Sequence, residues 1–221
     1  MANQIIYGRR AVEEAERGRR AVRRVWRAPE TSAEELERLC GSPDHQGVVA
    51  EVDPYPYADA GALLRREGAL LVALDQVQDP RNLGAICRSA EFAGAGGVVI
   101  PERRSAEITA VACKASAGAV EHLDVARVRN LADWLADARA AGFWIWGADT
   151  EGDKPPWNIH LVGPTVLVLG GEGKGIRPRV DSACDGLIAL PRLGQVESLN
   201  VSAAATALLF EALRQREGSQ L

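Results

Sequence analysis

Two nearly uninterrupted apolar runs limit the folds that this chain can adopt. They are LLVALD, residues 70–75, and TVLVLG, residues 165–170. Continuous apolar runs of this length are typical of parallel strands that are covered on both faces. Further strand-like runs, GVVIP, LDVARV, FWIWG and LIAL, alternate with helical patterns between residues 97 and 190. This alternation predicts an α/β fold with an open parallel sheet and helices on both of its faces.

The first part of the chain has a different pattern. It opens with the strand-like run IIYG, and apolar residues then recur at helical spacing over residues 11–22, which takes in Ala21 and Val22. A short helix over residues 34–40, capped by Thr31 or Ser32, precedes the strand GVVAEV. PYPYADAG follows as a linker with two exposed tyrosines.

We therefore expect two domains, a small one over residues 1–67 and a larger one over residues 68–221. The length of 221 residues and the apolar content of 47% are sufficient for both to bury a core.

Composition argues against several other classes of protein. The sequence opens without a charged-then-apolar leader and lacks an apolar run of about 18 residues, so we expect a cytoplasmic protein. The four cysteines are widely separated and lie in or beside apolar stretches, as is typical of reduced core residues. The three histidines are equally scattered, so we expect no metal.

The distribution of charge points to a local contact with nucleic acid. The net charge of −4 argues against a protein that coats nucleic acid indiscriminately. All but three of the 26 basic residues are arginines, which suit bidentate phosphate contacts, although genomic base composition gives the same bias. Between Gly8 and Arg27, eight arginines meet only three glutamates. Our candidates for contact with an RNA backbone are Arg9, Arg10, Arg19 and Arg20.

A polar loop separates the last strand-like run from the last helix. Pro191 ends LIAL, and Gly194 allows the chain to turn. Ser198 and Asn200 come just before the helix that begins at Val201, where such side chains commonly cap free backbone N–H groups. Taken alone, the loop favours simple capping. The helix is rich in alanine and is expected to pack closely on all sides.

The loop after LLVALD also leads into a helix. Asn82 is placed to cap that helix, and Arg88 lies off its apolar stripe. Arg88 can reach the loops at the carboxyl ends of the strands, or it can pair with Glu91 three residues later. The stripe consists of Leu83, Ile86, Cys87, Ala90 and Ala93.

A glycine-rich loop, GEGKG at residues 171–175, follows TVLVLG. Its spacing fits neither a Walker loop nor the dinucleotide-binding fingerprint. The glycines instead favour close approach of the backbone to a ligand, with Glu172 as the polar side chain.

Three stretches together resemble one known family. In chain order they are DQVQDPRNLGAICRSAEFAGAGGVVIP, LVLGGEGKGI and LIALPRLGQVESLNVSAAATALLFE. They are similar to the three motifs of the SpoU (TrmH-type) ribose 2′-O-methyltransferases of the SPOUT superfamily. IIYGRRAVEEA and HQGVVAEV resemble the ribosomal-protein-like RNA-binding domain of the RlmB type. The connection between Val22 and Thr31 is shorter than in that type, so we expect a strand and a helix there to be missing or reduced.

The resemblance implies S-adenosylmethionine as the methyl donor, bound in a deep trefoil knot formed by the second and third motif loops. It also implies a homodimer with the last helix in the interface. The catalytic residues carried over by motif are Asn82, Arg88, Glu172, Ser198 and Asn200. The cofactor-binding residues carried over are Leu169, Gly170, Gly171, Ile188, Leu190, Ser198 and Leu199.

The resemblance further implies methylation of a ribose 2′-hydroxyl, with the N-terminal part favouring a guanosine in 23S rRNA over a tRNA ribose. Two other classes stay open, a catalytically silent RNA-binding relative and a nucleotide-binding enzyme. The complete set of Asn82, Arg88, Ser198 and Asn200 argues against the silent relative. The failed glycine spacings argue against the nucleotide-binding enzyme.

Overall fold

The computed structural model describes residues 3–171, 173 and 175–218. Its N-terminal part contains a three-stranded antiparallel sheet in the spatial order β1-β3-β2. The strands are β1 (Gln4–Tyr7), β2 (Val22–Arg27) and β3 (Val48–Val52). Helices α1 (Arg9–Arg17) and α2 (Ala33–Cys40) connect them, and the Ser32 hydroxyl caps α2 by accepting from the Glu35 amide at 3.2 Å.

The second sheet has six strands, all parallel, which confirms the predicted open parallel sheet. In chain order the strands are β4 (Leu70–Asp75), β5 (Gly97–Pro101), β6 (Val125–Val128), β7 (Trp144–Ala148), β8 (Thr165–Gly170) and β9 (Gly186–Ile188). Their spatial order is β6-β5-β4-β8-β7-β9. The helices are α3 (Ala60–Leu63), α4 (Pro80–Phe92), α5 (Ala110–Ala115), α6 (Leu131–Ala140), α7 (Pro178–Asp181) and α8 (Val201–Gly218).

Helices cover both faces of this sheet, as the apolar runs predict. On β4, Leu70, Val72 and Leu74 belong to a core shared with α4, α5 and α8. Leu71 and Ala73 point to the other face and belong to a core shared with α6. The central strands are therefore buried on both sides, which explains why their sequences are continuously apolar.

The N-terminal sheet and helix α1 share a core with the larger sheet. Ile6, Ala11 and Val12 belong to the same buried cluster as β4 and α4. The prediction that the linker tyrosines are exposed is wrong. Tyr55 is buried, and its hydroxyl lies 3.0 Å from the Val120 carbonyl and 2.9 Å from the Leu123 carbonyl. Tyr57 is half-buried, and its hydroxyl accepts from the Ile108 amide at 3.0 Å.

Two local predictions need correction. Helix α1 ends at Arg17, and Val22 starts β2, so Ala21 and Val22 do not extend the helix. Of the strand and the helix that we expected to be missing or reduced between Val22 and Thr31, the strand is present as β2, which completes the small sheet by pairing with β3. The described residues of that segment form no helix.

Helix α8 does not pack closely on all sides within this chain. Ala205, Leu208 and Leu209 are buried, whereas Ala203 and Phe210 are exposed. One face of the helix is thus left open to solvent in the single chain.

Candidate active site

The three polar loops meet at the carboxyl edge of the parallel sheet. Strands β4 and β8 pair from end to end, so the loop after β4 lies beside the glycine-rich loop after β8. The loop over residues 189–200 follows β9 and leads into α8, which packs against α4. In open parallel sheets this edge is where ligands commonly bind.

Asn82 lies near the start of α4, but it is not the cap. The helix begins at Pro80, and the Asp79 carboxylate caps it by accepting from the Arg81 amide at 2.8 Å. Proline at the first helical position has its φ preset and lacks the N–H that would need a partner, so the helix starts earlier than predicted. Asn82 is instead a buried residue of the first turn.

Asn200 joins the third loop to the first. Its amide nitrogen donates to the Asn82 side-chain oxygen at 3.1 Å. Its own side-chain oxygen accepts from the Ser202 amide at 2.8 Å, which caps α8. Asn200 thus both caps α8 and links that helix to α4, so a capping role and a role in the candidate site are compatible.

The other predicted catalytic residues are more exposed. The Arg88 side chain lies on the outside of α4, and within the described residues it forms no ion pair with Glu91. Next to it, the Ser89 and Thr206 hydroxyls are 2.7 Å apart and link α4 to α8. Ser198 is exposed, and its hydroxyl has no hydrogen bond to the part of the chain that the structure describes. Glu172 lies outside the described residues.

The prediction missed an ion pair, between a buried carboxylate and an exposed arginine, that holds the glycine-rich loop. The Asp75 carboxylate, at the end of β4, is completely buried. It accepts from the Arg177 backbone amide at 2.8 Å and from the Arg177 Nε at 2.8 Å. The Gly171 amide donates to the Asp75 carbonyl at 2.8 Å. Both ends of the loop are therefore tied to one residue. The signal in the sequence is an acidic residue that ends a fully apolar strand.

Close backbone packing explains the glycines in this loop. A Cβ on Gly170 would lie 2.1 Å from the Gly175 carbonyl carbon, and one on Gly171 would lie 2.4 Å from the Gln76 oxygen. Gly175 also has a φ of 61°, in the left-handed region that favours glycine. Any other residue at 170 or 171 would separate the loop from its neighbours.

The predicted cofactor-binding residues border these loops with different degrees of burial. Leu169 and Ile188 are buried, and the Ile188 carbonyl accepts from the Asp149 amide at 3.0 Å. Gly170, Gly171 and Leu190 are half-buried, whereas Ser198 and Leu199 are exposed. The set thus lies at one edge of the sheet, where β8 and β9 end and where the last loop leads to Asn200.

The predicted arginine patch is largely neutralised. Arg20 is buried and ion-paired with Glu121, with its Nε donating to Glu121 Oε2 at 3.0 Å, so its assignment to RNA binding is wrong. The sequence could not reveal this partner, which lies 101 residues away. Arg19 is paired with Asp124. Arg10 is exposed beside Glu13 at 3.2 Å, and Arg9 is exposed.

Other chemistries have little support in the described residues. Within them, His, Cys, Asp and Glu form no group of three or more that could hold a metal. Burial raises the pKa of the Cys87 thiol to about 12 and that of Cys113 to about 11, so neither is a ready nucleophile. None of the described helices is both long and apolar enough to cross a membrane.

Family comparisons match both parts of the chain. The profile of the SpoU rRNA Methylase family matches residues 69–210, and a profile for RNA 2′-O ribose methyltransferase substrate binding matches residues 29–58. An uncharacterized tRNA/rRNA methyltransferase of Mycolicibacterium vanbaalenii is 44% identical over 195 residues, which cover 86% of this chain and 62% of the relative. The chain thus spans about three fifths of the length of the first curated relatives that it matches.

Solved structures share the fold over nearly the whole chain. The SpoU methyltransferase AviRb from Streptomyces viridochromogenes, in complex with AdoMet, is 29% identical with a TM-score of 0.81, covering 97% of this chain and 90% of that one. An AdoMet-bound rRNA methyltransferase from Sinorhizobium meliloti is 25% identical with a TM-score of 0.84, covering 96% of this chain and 87% of that one.

Proposed function

Because this chain belongs to the SpoU rRNA methylase family, we propose that it is an RNA methyltransferase that uses S-adenosylmethionine. The observation that carries this proposal is the meeting of three motif loops at one sheet edge, joined by the Asn82–Asn200 and Asp75–Arg177 contacts. The AdoMet found in AviRb and in the Sinorhizobium meliloti enzyme supports the choice of cofactor.

The proposed acceptor is a ribose 2′-hydroxyl, with a guanosine in 23S rRNA as the first choice. The substrate-binding profile over residues 29–58 supports the ribose, and the N-terminal resemblance supports the ribosomal substrate. A tRNA ribose is the alternative, since the curated relatives carry the joint description tRNA/rRNA methyltransferase. Both RNA classes are made in the bacterial cytoplasm, which is the proposed location.

The loops suit a cofactor that carries an adenine ring and an amino-acid end. Leu190 and Leu199 offer apolar surface, and the glycine-walled loop after β8 offers backbone groups without side chains in the way. Leu169, Gly170, Gly171, Ile188 and Ser198 would complete the binding site. When bound, S-adenosylmethionine supplies a methyl group on a sulfonium, so no metal is needed.

The residues of this chain would act mainly by positioning the acceptor. Arg88 would orient the 2′-hydroxyl, with help from a nearby RNA phosphate. A guanidinium carries only donors and no acceptor, so Arg88 is a poor general base. Asn82 and Asn200 hold each other at 3.1 Å and would fix the ribose between α4 and α8. Ser198 and Glu172 would add polar contacts there.

A trefoil knot formed by the second and third loops belongs to this proposal. The chain after β9 runs closely beside the connection between β7 and β8. The Ala189 amide donates to the Lys154 carbonyl at 3.0 Å, and a Cβ on Gly152 would lie 2.6 Å from the Ile188 carbonyl carbon. These contacts continue the pairing of β7 with β9, and the resemblance of the second and third motifs is what supports a knot.

We also propose a homodimer with α8 in the interface. The open face of α8 carries Ala203, Ala207 and Phe210, and the Phe210 ring stacks on that of Phe92 in α4, with 5.9 Å between centroids. Phe92 is 74% exposed and Phe210 is 42% exposed. A second copy is the proposed cover, since small residues allow helices to approach closely and stacked aromatic rings are typical of interface cores.

The N-terminal domain would contribute an RNA contact at the start of α1. The two segments that resemble the RlmB type meet there, since the Arg9 amide donates to the Gln46 side-chain oxygen at 3.1 Å and the Arg9 Nε donates to the Gln46 carbonyl at 3.1 Å. Arg9 and Arg10 are both exposed at this point. They remain our candidates for the contact, together with Arg19, which is exposed but ion-paired with Asp124.

The proposed function is tested with labelled S-adenosylmethionine and purified protein, offered large-subunit rRNA and total tRNA separately. We expect label at an alkali-resistant ribose in rRNA, at a guanosine. Label in tRNA alone would show that the substrate is a tRNA ribose instead of 23S rRNA. Label in neither, with naked RNA and with ribosome assembly intermediates, would favour a catalytically silent relative.

Asp75→Asn is expected to weaken cofactor binding without changing the chemical step. Charge-assisted hydrogen bonds contribute about 1.5–3 kcal/mol each, so we expect the dissociation constant for S-adenosylmethionine to rise roughly tenfold or more. At saturating cofactor, kcat should stay within about twofold of wild type, because Asp75 touches only the loop. Isothermal titration calorimetry measures the dissociation constant for S-adenosylmethionine, and steady-state kinetics measure the KM for the cofactor and kcat.

The matched control is Asp133→Asn. Asp133 pairs with Arg179 of α7 at 2.6 Å, but both side chains are mostly exposed, so its loss should leave cofactor affinity unchanged. Equal cofactor affinity in Asp75→Asn and wild type would show that the Asp75–Arg177 pair does not position the glycine-rich loop.

A further inference from the structure

A group of exposed arginines at the carboxyl edge of the parallel sheet lacks carboxylate partners. Most arginines of this acidic protein are ion-paired, including Arg10, Arg17 and Arg27 in and after α1. The edge arginines are Arg81, Arg103, Arg104, Arg129 and Arg192, which follow β4, β5, β6 and β9. All five are exposed, and among the described residues none of them forms an ion pair.

The contrast with α1 is informative. There, Arg10 and Arg17 pair with acids of the same helix, and Arg19 and Arg20, just after it, pair with Asp124 and Glu121. Among the described residues Arg9 is the one arginine of α1 outside an ion pair, so less positive charge remains for a ligand.

At the sheet edge, acids outside ion pairs follow β7 and β9, namely Asp149, Glu151, Asp153 and Glu197. After β5 and β6, by contrast, Glu102 is the one such acid among the described residues, so the positive charge of Arg103, Arg104 and Arg129 is left largely unmatched there. Clusters of unneutralised positive charge attract polyanions and concentrate them locally. The edge arginines are therefore better placed to attract RNA phosphates than the predicted patch.

Arg103 and Arg104 lie on a loop, residues 102–109, that is anchored at both ends. Near the site, the Ala106 amide donates to the Val77 carbonyl at 2.8 Å, in the loop that leads to Asn82. At its far end, the Ile108 carbonyl accepts from the Gln4 amide nitrogen at 2.7 Å. Gln4 belongs to β1, so this loop joins the candidate active site to the N-terminal domain.

The acids of this loop do not neutralise its two exposed arginines. Glu107 is occupied by Arg127, at 3.0 Å, which leaves exposed Glu102 as the remaining acid of the loop. Arg104 has a φ of 57°, a conformation that non-glycine residues rarely adopt. The backbone thus turns sharply at the adjacent pair of arginines, on the stretch between the two domains.

We propose that Arg103, Arg104 and Arg129 hold the phosphate backbone of the substrate RNA on a path from the N-terminal domain to the candidate active site. This inference rests on the proposed function and specifies where the RNA lies. Guanidinium groups suit this role, because they make bidentate contacts with phosphate oxygens. Such contacts position the RNA without reading its sequence.

The test compares two double variants of the full chain that change net charge equally. Arg103→Gln/Arg104→Gln removes the adjacent pair after β5. Arg65→Gln/Arg66→Gln removes an adjacent pair that precedes β4, at the opposite edge of the same sheet, where the two arginines contact Asp59 and Asp124. The probe is a labelled 23S rRNA transcript, and its dissociation constant is measured over a series of salt concentrations, with thermal melts to confirm folding.

For the edge pair we expect roughly tenfold weaker binding at about 0.15 M salt, and a decrease of about two in the slope of log affinity against log salt. The opposite-edge pair should stay within about twofold of wild type, and cofactor affinity should be unchanged in both. Equal weakening by the two variants, an unchanged edge variant, or a wild-type chain that does not bind the transcript would overturn the inference. A wild-type chain that binds RNA but transfers no methyl group would refute the proposed function alone, since this test measures binding.

Discussion

Arg88→Ala should lose roughly 100- to 1,000-fold in kcat while it binds S-adenosylmethionine and dimerises like wild type. The reason is that Arg88 is exposed on α4 and supports no described ion pair, so its removal costs the fold little. What is lost is the group that would hold the acceptor hydroxyl and a phosphate in line for transfer. Single-turnover methyl transfer at saturating cofactor measures the chemical step, and isothermal titration measures cofactor affinity.

Glu91→Ala is the matched control on the same helix. If Arg88 served only to pair with Glu91, the two variants would behave alike, and both would transfer methyl groups normally. We expect normal turnover for Glu91→Ala alone. Normal turnover by Arg88→Ala would remove Arg88 from the catalytic centre.

Arg20→Met is expected to destabilise the protein by about 3–5 kcal/mol. The Arg20 and Glu121 side chains are each 1% exposed, so removal of one partner leaves a buried charge without compensation. Urea unfolding followed by circular dichroism measures the free energy of unfolding. The double variant Arg20→Met/Glu121→Leu should be more stable than Arg20→Met, because it removes both charges from the seam between the domains.

Arg10→Ala provides the comparison for an exposed pair. Arg10 and Glu13 contact each other at 3.2 Å, but the arginine side chain is 74% exposed, so its loss should change stability by less than about 0.5 kcal/mol. A small effect of Arg20→Met together with a selective loss of RNA binding would restore the original assignment of Arg20 to the substrate.

The elements that the sequence predicts well are those with a strong local pattern. The spans of β4 and β8 match the predicted ones, because each is a continuous apolar run with a clear boundary. Errors arise where a distant partner or an earlier cap decides the outcome. Pro80 and Asp79 start α4 ahead of Asn82. Tyr55 can be buried because its hydroxyl bonds to the distant Val120 and Leu123 carbonyls.

For the site, the motif resemblance identifies Asn82 and Asn200, and the structure shows that they touch. It does not reveal Asp75 and Arg177, which lie 102 residues apart and meet only because β4 and β8 are neighbours in the sheet. Charge counting fails for a related reason. An arginine just after α1 looks available for RNA until its distant acidic partner is known, as the pairing of Arg20 with Glu121 shows.

The shared core between the two domains has a mechanical consequence. Tyr55 and the buried Arg20–Glu121 pair fix the N-terminal sheet against the larger domain, so the two move as one body. A single rigid unit cannot close one of its parts around a polynucleotide. The distance between the start of α1 and the carboxyl edge is therefore constant, and an RNA that spans it has to supply the bend itself. Under the proposed function, the target nucleotide would then be selected partly by its distance along the RNA from a second point of contact.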